Sequence, residues 1–324
     1  MKPPARDPNQ PLTATIGFSS HRLRLDGDRA RSLYRWLVAR MERLGVPPDI
    51  VTLDAPGFWG VKYKRFRRVR TRIESYDFGG RFRGLRLTLR APGWTDNDQS
   101  KWISTASFHR NSELPHKDSS KQTDWLIAPK EAKLTEQVAV ESLTEYAKVA
   151  VDHYGYLFTI PREYGPSFYP MGRSGWEPFA SQEERENAGW WAGYQDLVPP
   201  TGMLRNVYPV NFVSRELLEL PVHGTTLEQW IRKNTSRGTL KPLTVKVTTW
   251  ITPVENIPAI REQLFLAGVL FYFRFFQTWE PNNPWNRDFS KRFKPLDPIP
   301  EIFRANYRQL TDSPVEQTTT GSRM

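Results

Sequence analysis

Leu243-Thr244-Val245-Lys246-Val247-Thr248-Thr249-Trp250-Ile251, followed by the segment from Asn256 to Gly268 and by Val269-Leu270-Phe271-Tyr272-Phe273, carries the plainest architecture in the chain. In the first run Leu243, Val245, Val247, Thr249 and Ile251 alternate with Thr244, Lys246, Thr248 and Trp250, a period of two that predicts a strand. Asn256 is placed to cap a helix, Pro258 falls in its first turn, Ile260 and Leu264 share a face, and Gly268 lies just past its end. Val269 to Phe273 returns to strand, so the three pieces form a strand-helix-strand unit.

Upstream the elements come in mixed order. Leu12 to Phe18 reads as a strand, and Leu33, Leu37, Met41 and Leu44 recur at helical spacing, with Asp26 or Asp28 to cap the helix and Gly45 to end it. After Pro47 and Pro48 the runs shorten and alternate: Phe58 to Tyr63, then Leu85, Leu87 and Leu89 between Arg86, Thr88 and Arg90, then Trp102 to Phe108. These predict antiparallel strands with basic residues toward water and a turn at Gly79-Gly80. Asn111 to Thr123 reads as a loop. Leu134, Val138, Tyr146 and Val149 predict a helix over Glu131 to His153, stopped near Gly155 and followed by a strand from Tyr156 to Ile160. Arg162 to Pro178 is a Gly/Pro/aromatic loop, Ser181 to Leu197 reads as helix and Met203 to Phe212 as extended. Thr225 and Glu228 form a capping box for a helix through Asn234. Without the strict alternation of a doubly wound fold, the class expected is α+β, with mixed or antiparallel sheets and packed helices. The expected organisation is a disordered tail over 1–11, one α+β domain over 12–310 and a disordered tail over 311–324. Within the domain we separate an N-terminal half (12–125) with a basic hairpin at 62–90, a C-terminal half (126–276) and an extension (277–310).

The formal charge of +11 is concentrated. Between Lys62 and Arg90 eleven basic residues face only Glu74 and Asp77, a surplus of +9, so the rest of the chain is close to neutral. Tyr63, Phe66, Tyr76, Phe78 and Phe82 interleave with those charges. Three readings are open at this point: a solvated sheet face with inward aromatics, a docking surface for an acidic protein, or a nucleic-acid surface that stacks bases and tracks phosphates. Trp176, Trp190 and Trp191, near Tyr164, Phe168 and Tyr169, read as core or as interface anchors.

Motifs for catalysis are missing from the sequence. There is no cysteine, and His21, His109, His116, His153 and His223 include no pair at the four-residue spacing that sets two metal ligands on one helix face. Gly172-Arg173-Ser174-Gly175 lacks nucleophile-elbow spacing, and Gly57-Phe58-Trp59-Gly60 puts aromatics where backbone would have to approach phosphate. Glu131-Ala132-Lys133 with Asp124 resembles a nuclease acid and lysine set only in composition, because the triplet is expected to open a helix. No catalytic residue, metal site or cofactor is expected. Met1 to Pro11 lacks the apolar segment of a secretory signal, and the longest apolar run, Leu264 to Phe276, falls well short of the roughly 20 residues that span a bilayer, so a cytoplasmic protein without membrane association is expected.

A resemblance adds to this reading. Tyr154-Gly155-Tyr156, the run Gly165-Pro166-Ser167-Phe168-Tyr169-Pro170-Met171-Gly172, and above all Leu204-Arg205-Asn206-Val207-Tyr208-Pro209-Val210-Asn211-Phe212 occur in order. Leu227-Glu228-Gln229-Trp230-Ile231, Arg237-Gly238-Thr239-Leu240 and Ala267-Gly268-Val269-Leu270-Phe271 follow. Over about 150–275 the chain resembles a family of bacterial type VI secretion immunity proteins, formerly a domain of unknown function. The resemblance implies a cytoplasmic, non-enzymatic protein that neutralises a cognate effector toxin by binding it, with nucleic-acid binding through 62–90 as the alternative. The family run reads Arg-Asp where this chain has Arg205-Asn206. The candidate partner-binding residues are Lys62, Lys64, Arg65, Arg67, Arg68 and Arg70 in the basic segment, and Tyr164, Phe168, Tyr169, Arg173 and Trp176 in the loop. Gly165, Pro166, Arg205, Tyr208, Pro209 and Asn211 are expected to be structural members of the motifs.

Overall fold

The computed structural model describes residues 12–20, 27–55, 64–78, 84–92, 102–110, 121–161, 204–270, 276–278 and 293–295. In chain order the elements are β1 (Leu12–Ser20), α1 (Gly27–Arg43), β2 (Ile50–Asp54), β3 (Lys64–Arg65), α2 (Phe66–Glu74), β4 (Gly84–Arg90), β5 (Trp102–Arg110), β6 (Lys121–Ile127), α3 (Glu136–Ala150) and β7 (Tyr154–Pro161). There follow β8 (Val210–Ser214), α4 (Arg215–Leu218), β9 (Pro221–Val222), β10 (Thr225–Thr226), α5 (Leu227–Arg232), β11 (Thr239–Pro242), β12 (Val247–Ile251), α6 (Ile257–Leu266), β13 (Phe276–Thr278) and β14 (Phe293–Pro295). The class is α+β, as expected.

Ten strands form one sheet in the order β11-β12-β8-β7-β1-β6-β5-β4-β2-β3, and every pairing among them is antiparallel. β1 lies inside the sheet between β6 and β7, with Ile16 opposite both Trp125 and Leu157. Because β6 and β7 each run antiparallel to β1, they run parallel to each other, and α3 is the crossover that joins them. α1 makes the longer crossing from β1 to β2.

Side chains alternate across this sheet and so build two cores. Leu157, Phe212 and Val247 face one side, where they join Leu85, Leu87, Phe108, Trp125 and Ile127 under α1 and α3. Tyr154, Tyr156, Phe158, Val213 and Trp250 face the other side, where α4, α5 and α6 cover them. On the first side Trp36 of α1 stacks on Tyr146 of α3 at 5.6 Å, and Trp125 of β6 meets both rings edge-on at 6.0 and 5.6 Å. The Trp125 Nε1–H donates to Ser104 Oγ at 3.0 Å, which removes the penalty of burying the indole nitrogen.

Several expectations need correction. The basic segment is not a hairpin: β3 is two residues long and Phe66–Glu74 is a helix, because Phe66, Val69 and Ile73 fall on one helical face. Lys121 to Thr123 belong to β6, whose place between β1 and β5 supplies pairing that its polar start conceals. α3 starts after its cap Thr135, whose hydroxyl accepts from the Val138 N–H at 3.2 Å. Glu131-Ala132-Lys133 is therefore a turn before the helix, with Lys133 at φ 55°, and Gly155 lies within β7. The capping box is formed by Thr226 and Gln229, one residue later than expected. The run 243–251 is not a single strand: β11 and β12 pair as a hairpin, and Val245 projects fully into solvent at its turn. Asn256 does not cap α6, since its Nδ2 donates instead to the Ser236 carbonyl at 2.8 Å. After α6 the chain returns alongside Leu204, in a parallel bridge at Leu270. The expectations for 1–11, 58–63, Gly79-Gly80, 162–197, 271–273 and 311–324 lie outside the described residues.

Candidate functional site

α2 carries most of the basic segment that the structure describes, and its start is held by Asp49. The Phe66 N–H donates to the Asp49 carbonyl at 2.8 Å, while the Asp49 carboxylate holds Arg90 at 2.7 Å. Asp49 thus ties the start of α2 to β4. At the other end the Ser75 hydroxyl donates to the Arg72 carbonyl at 3.1 Å. Phe66 and Ile73 are buried and Val69 packs on the same core.

The arginines of this helix separate by role. Arg70 donates from Nε to Glu74 at 2.8 Å and from Nη1 to Glu42 of α1 at 2.6 Å. Those bonds, the one to Glu74 first, raise its pKa, so Arg70 is a brace between two helices. Arg65, Arg67 and Arg68 are exposed. Arg68 and Arg72, four residues apart, share one flank of the helix, and Arg65 is the non-helical residue that precedes it. Lys64 places its backbone opposite Val51 in the edge strand. Of the interleaved aromatics, Phe66 and Phe78 are buried, and the half-buried Tyr76 packs edge-on against Phe78 at 5.5 Å. Lys62, Tyr164, Phe168, Tyr169, Arg173, Trp176, Gly165 and Pro166 lie outside the described residues.

The motif residues Arg205, Tyr208, Pro209 and Asn211 are gathered between β7, β12 and α6. Arg205 is buried; its Nη1 donates to the Tyr156 hydroxyl and its guanidinium lies 5.2 Å from the centroid of that ring. Tyr208 stacks on the same Tyr156 ring, with the two ring centroids 4.2 Å apart. Asn211 Oδ1 accepts from the Tyr208 N–H at 3.0 Å, and its Nδ2 donates to the Tyr208 carbonyl at 2.7 Å and to Thr252 Oγ1 at 3.3 Å. The Pro209 carbonyl accepts from the Thr252 N–H at 2.9 Å. Tyr154 and Arg261 donate to the carbonyls of Asn206 and Val207 at 2.8 and 2.9 Å. The loop is thereby pinned by three elements through its own backbone.

A second motif closes the same core. Arg237 lies 4.1 Å over the Trp230 ring and donates to the Trp230 carbonyl at 2.7 Å, while Trp250 Nε1 donates to the Arg237 carbonyl at 2.8 Å. Burial lowers the pKa of Arg237.

One constellation has the composition of a hydrolase triad and escapes a sequence reading, because its members are 61 residues apart. Ser214 Oγ lies 3.1 Å from His153 Nδ1, and Glu216 lies 3.8 Å from that same nitrogen. A serine-histidine-acid relay needs its two partners on opposite ring nitrogens. Here the serine oxygen also accepts from the Leu217 N–H as the cap of α4, at 3.4 Å. The set joins the start of β7 to α4.

Among the described residues no group of three His, Asp or Glu side chains is placed to hold a metal ion, and no helix is long and apolar enough to cross a membrane. No protein-family model matches the sequence, and no curated protein matches it. Among solved structures the chain is similar to a T6SS protein of Pseudomonas aeruginosa, at 11% identity and a TM-score of 0.48, with 94% of this chain and 84% of that chain covered.

Proposed function

We propose that this chain is an immunity-type protein that binds a cognate effector toxin of a type VI secretion system in the cytoplasm and neutralises it by protein–protein association, without catalysis of its own. The ordered motifs from Tyr154 to Phe271 support the family reading. The observation that carries the reading is the division of labour among the charged side chains. Arg205 and Arg237, which chemistry would need in an open site, spend their guanidinium groups on aromatic faces and internal hydrogen-bond acceptors of the second core. Arg65, Arg67 and Arg68 stand in solvent at the start of a helix that is tied to α1 through Arg70 and to β4 through Asp49. A rigid, charged, outward face suits recognition, because it costs little ordering when a partner docks.

The nucleic-acid alternative needs bases to stack on exposed aromatic rings. Of the aromatics of α2 and its exit, Phe66 and Phe78 are buried and the half-buried Tyr76 is packed edge-on against Phe78, which favours a protein partner.

The test is co-expression with the product of the adjacent reading frame. Protection of cells from that product, together with a stable complex on size-exclusion chromatography, supports the proposal. Protection without a complex, through breakdown or modification of the toxin, overturns it.

A further inference from the structure

We infer that β11, the edge strand at the opposite end of the sheet from β3, accepts an extended segment of a protein partner in which acidic and apolar residues alternate. This surface is distinct from the arginines of α2, and the inference holds whether or not the partner is a toxin. β11 closes one end of the strand order, whereas β3 at the other end is only two residues long. The Leu243 N–H donates to the Val247 carbonyl at 3.0 Å, so in this register Lys241 and Thr239 form the hydrogen-bonded pairs with Thr249 and Ile251. The far flank of β12 agrees, since there the Lys246 carbonyl accepts from the Arg215 N–H at 3.3 Å and the Thr252 N–H donates to the Pro209 carbonyl at 2.9 Å. The N–H and carbonyl of Leu240 and the carbonyl of Pro242 therefore point away from the sheet. Thr239, Lys241 and Pro242 are exposed, which leaves those groups open to a further strand.

β11 is ordered before anything binds. Just ahead of it the Ser236 and Arg237 carbonyls accept from Asn256 Nδ2 and Trp250 Nε1, both at 2.8 Å. Just beyond it the Thr244 hydroxyl oxygen accepts from the Lys246 and Val247 N–H groups at 3.2 and 3.1 Å, which fixes the turn. A strand held in this way loses little freedom when another adds to it. Side chains select the occupant. From Gln229 to Val254 there are five basic residues and no acidic one. Arg232 is paired with Glu228, and Arg237 is engaged by the Trp230 ring and carbonyl. Lys233, Lys241 and Lys246 are exposed and hold no ion pair among the described residues. Along β11, Lys241 stands between Pro242 and Leu240, and Leu240 packs on the second core. An added strand thus meets a cation on one face and apolar side chains on the other, which favours a carboxylate opposite Lys241 and an apolar residue opposite Leu240. A second copy of β11 fits poorly, because it brings another lysine and another proline without an N–H into the same ladder.

The experiment uses the full chain and two short fluorescent peptides of equal composition, one with glutamate and valine alternating and one with them in separate blocks. Anisotropy is read for the native protein, for Lys241→Glu, for Leu240→Pro, which removes the outward N–H, and for Lys130→Glu as the reversal of an exposed lysine elsewhere. Circular dichroism checks that each is folded, and deuterium exchange of the Leu240 amide in the native protein, with and without peptide, tests the same bond if Leu240→Pro is not. The expected result is binding of the alternating peptide that falls about fivefold or more in Lys241→Glu and in Leu240→Pro and is unchanged in Lys130→Glu. The block peptide binds more weakly, and the Leu240 amide exchanges more slowly in the complex. No binding, equal binding of the two peptides, equal losses in the two lysine reversals, or a Leu240 amide that the peptide does not protect overturns the inference. Self-association of the native chain that Leu240→Pro abolishes overturns it in favour of a second copy. No toxin enters this test, so its failure leaves the proposed function standing, and failure of the co-expression test leaves this inference standing.

Discussion

Gly238 shows how closely single residues are specified in the second core. Its φ is +105°, and a Cβ built there would lie 2.1 Å from the Ile251 carbonyl oxygen and 2.9 Å from Trp250 Nε1. Gly238→Ala is therefore expected to destabilise the fold by about 1–3 kcal/mol, read as a lower midpoint in urea denaturation. Asn211 is specified through hydrogen bonding. Asn211→Ala leaves the buried Tyr208 amide without its acceptor, and a loss of about 1–3 kcal/mol is expected in the same measurement. Tyr34 is the opposite case. Its hydroxyl is buried with no hydrogen-bond partner, and burial, helped by Glu74, pushes its pKa well above the ordinary phenol value. Such a group favours the folded state with its proton on. The contribution is complete below pH about 10, where the unfolded phenol is still protonated, and is lost as pH rises from there toward the folded pKa. Tyr34→Phe should thus cost little stability at neutral pH and make alkaline unfolding less steep, as followed by circular dichroism between neutral and strongly alkaline pH. A steeper alkaline transition in the variant would contradict this account of Tyr34.

At the scale of elements, the join between α1, β6 and α3 rests on three rings. Trp125→Ala removes the fully buried ring that meets the other two edge-on and is expected to cost about 3–5 kcal/mol, measured by thermal or urea unfolding. Arg70→Gln removes a half-exposed ion bridge, and its cost should be about 1 kcal/mol or less. The same elements show what could be read from sequence. α1 and β4 were legible because their apolar residues recur at one clear period. β6 was not, since its strand character comes from lying between β1 and β5 and not from the polar Lys121-Gln122-Thr123 with which it opens. α2 was hidden in a different way: nearly alternating arginines and apolar residues read as a strand, while the spacing of Phe66, Val69 and Ile73 was the helical signal. For the site, the sequence places the candidate arginines in one segment, but that Arg70 is tied back to α1 is set by Glu42, whose distance of 28 residues from Arg70 no local pattern conveys.

On the scale of the whole molecule, one antiparallel sheet separates two cores with different tasks. The core under α1 and α3 sets α2 at one end of the sheet, beside β3. The core under α4, α5 and α6 holds the motif residues, which explains why the motifs that mark the family resemblance are largely buried while the charge surplus is elsewhere. The outward arginines of α2 and the motifs that carry the resemblance thus lie in different halves of the chain. The most direct test of this arrangement is the association rate between the chain and the effector that the proposed function assigns to it, once co-expression has identified one, measured by stopped-flow at low and high salt for the native protein and for Arg65→Glu/Arg67→Glu/Arg68→Glu. The account predicts a fall of about tenfold or more at low salt that shrinks as salt screens the charges. An unchanged rate at low salt would contradict it.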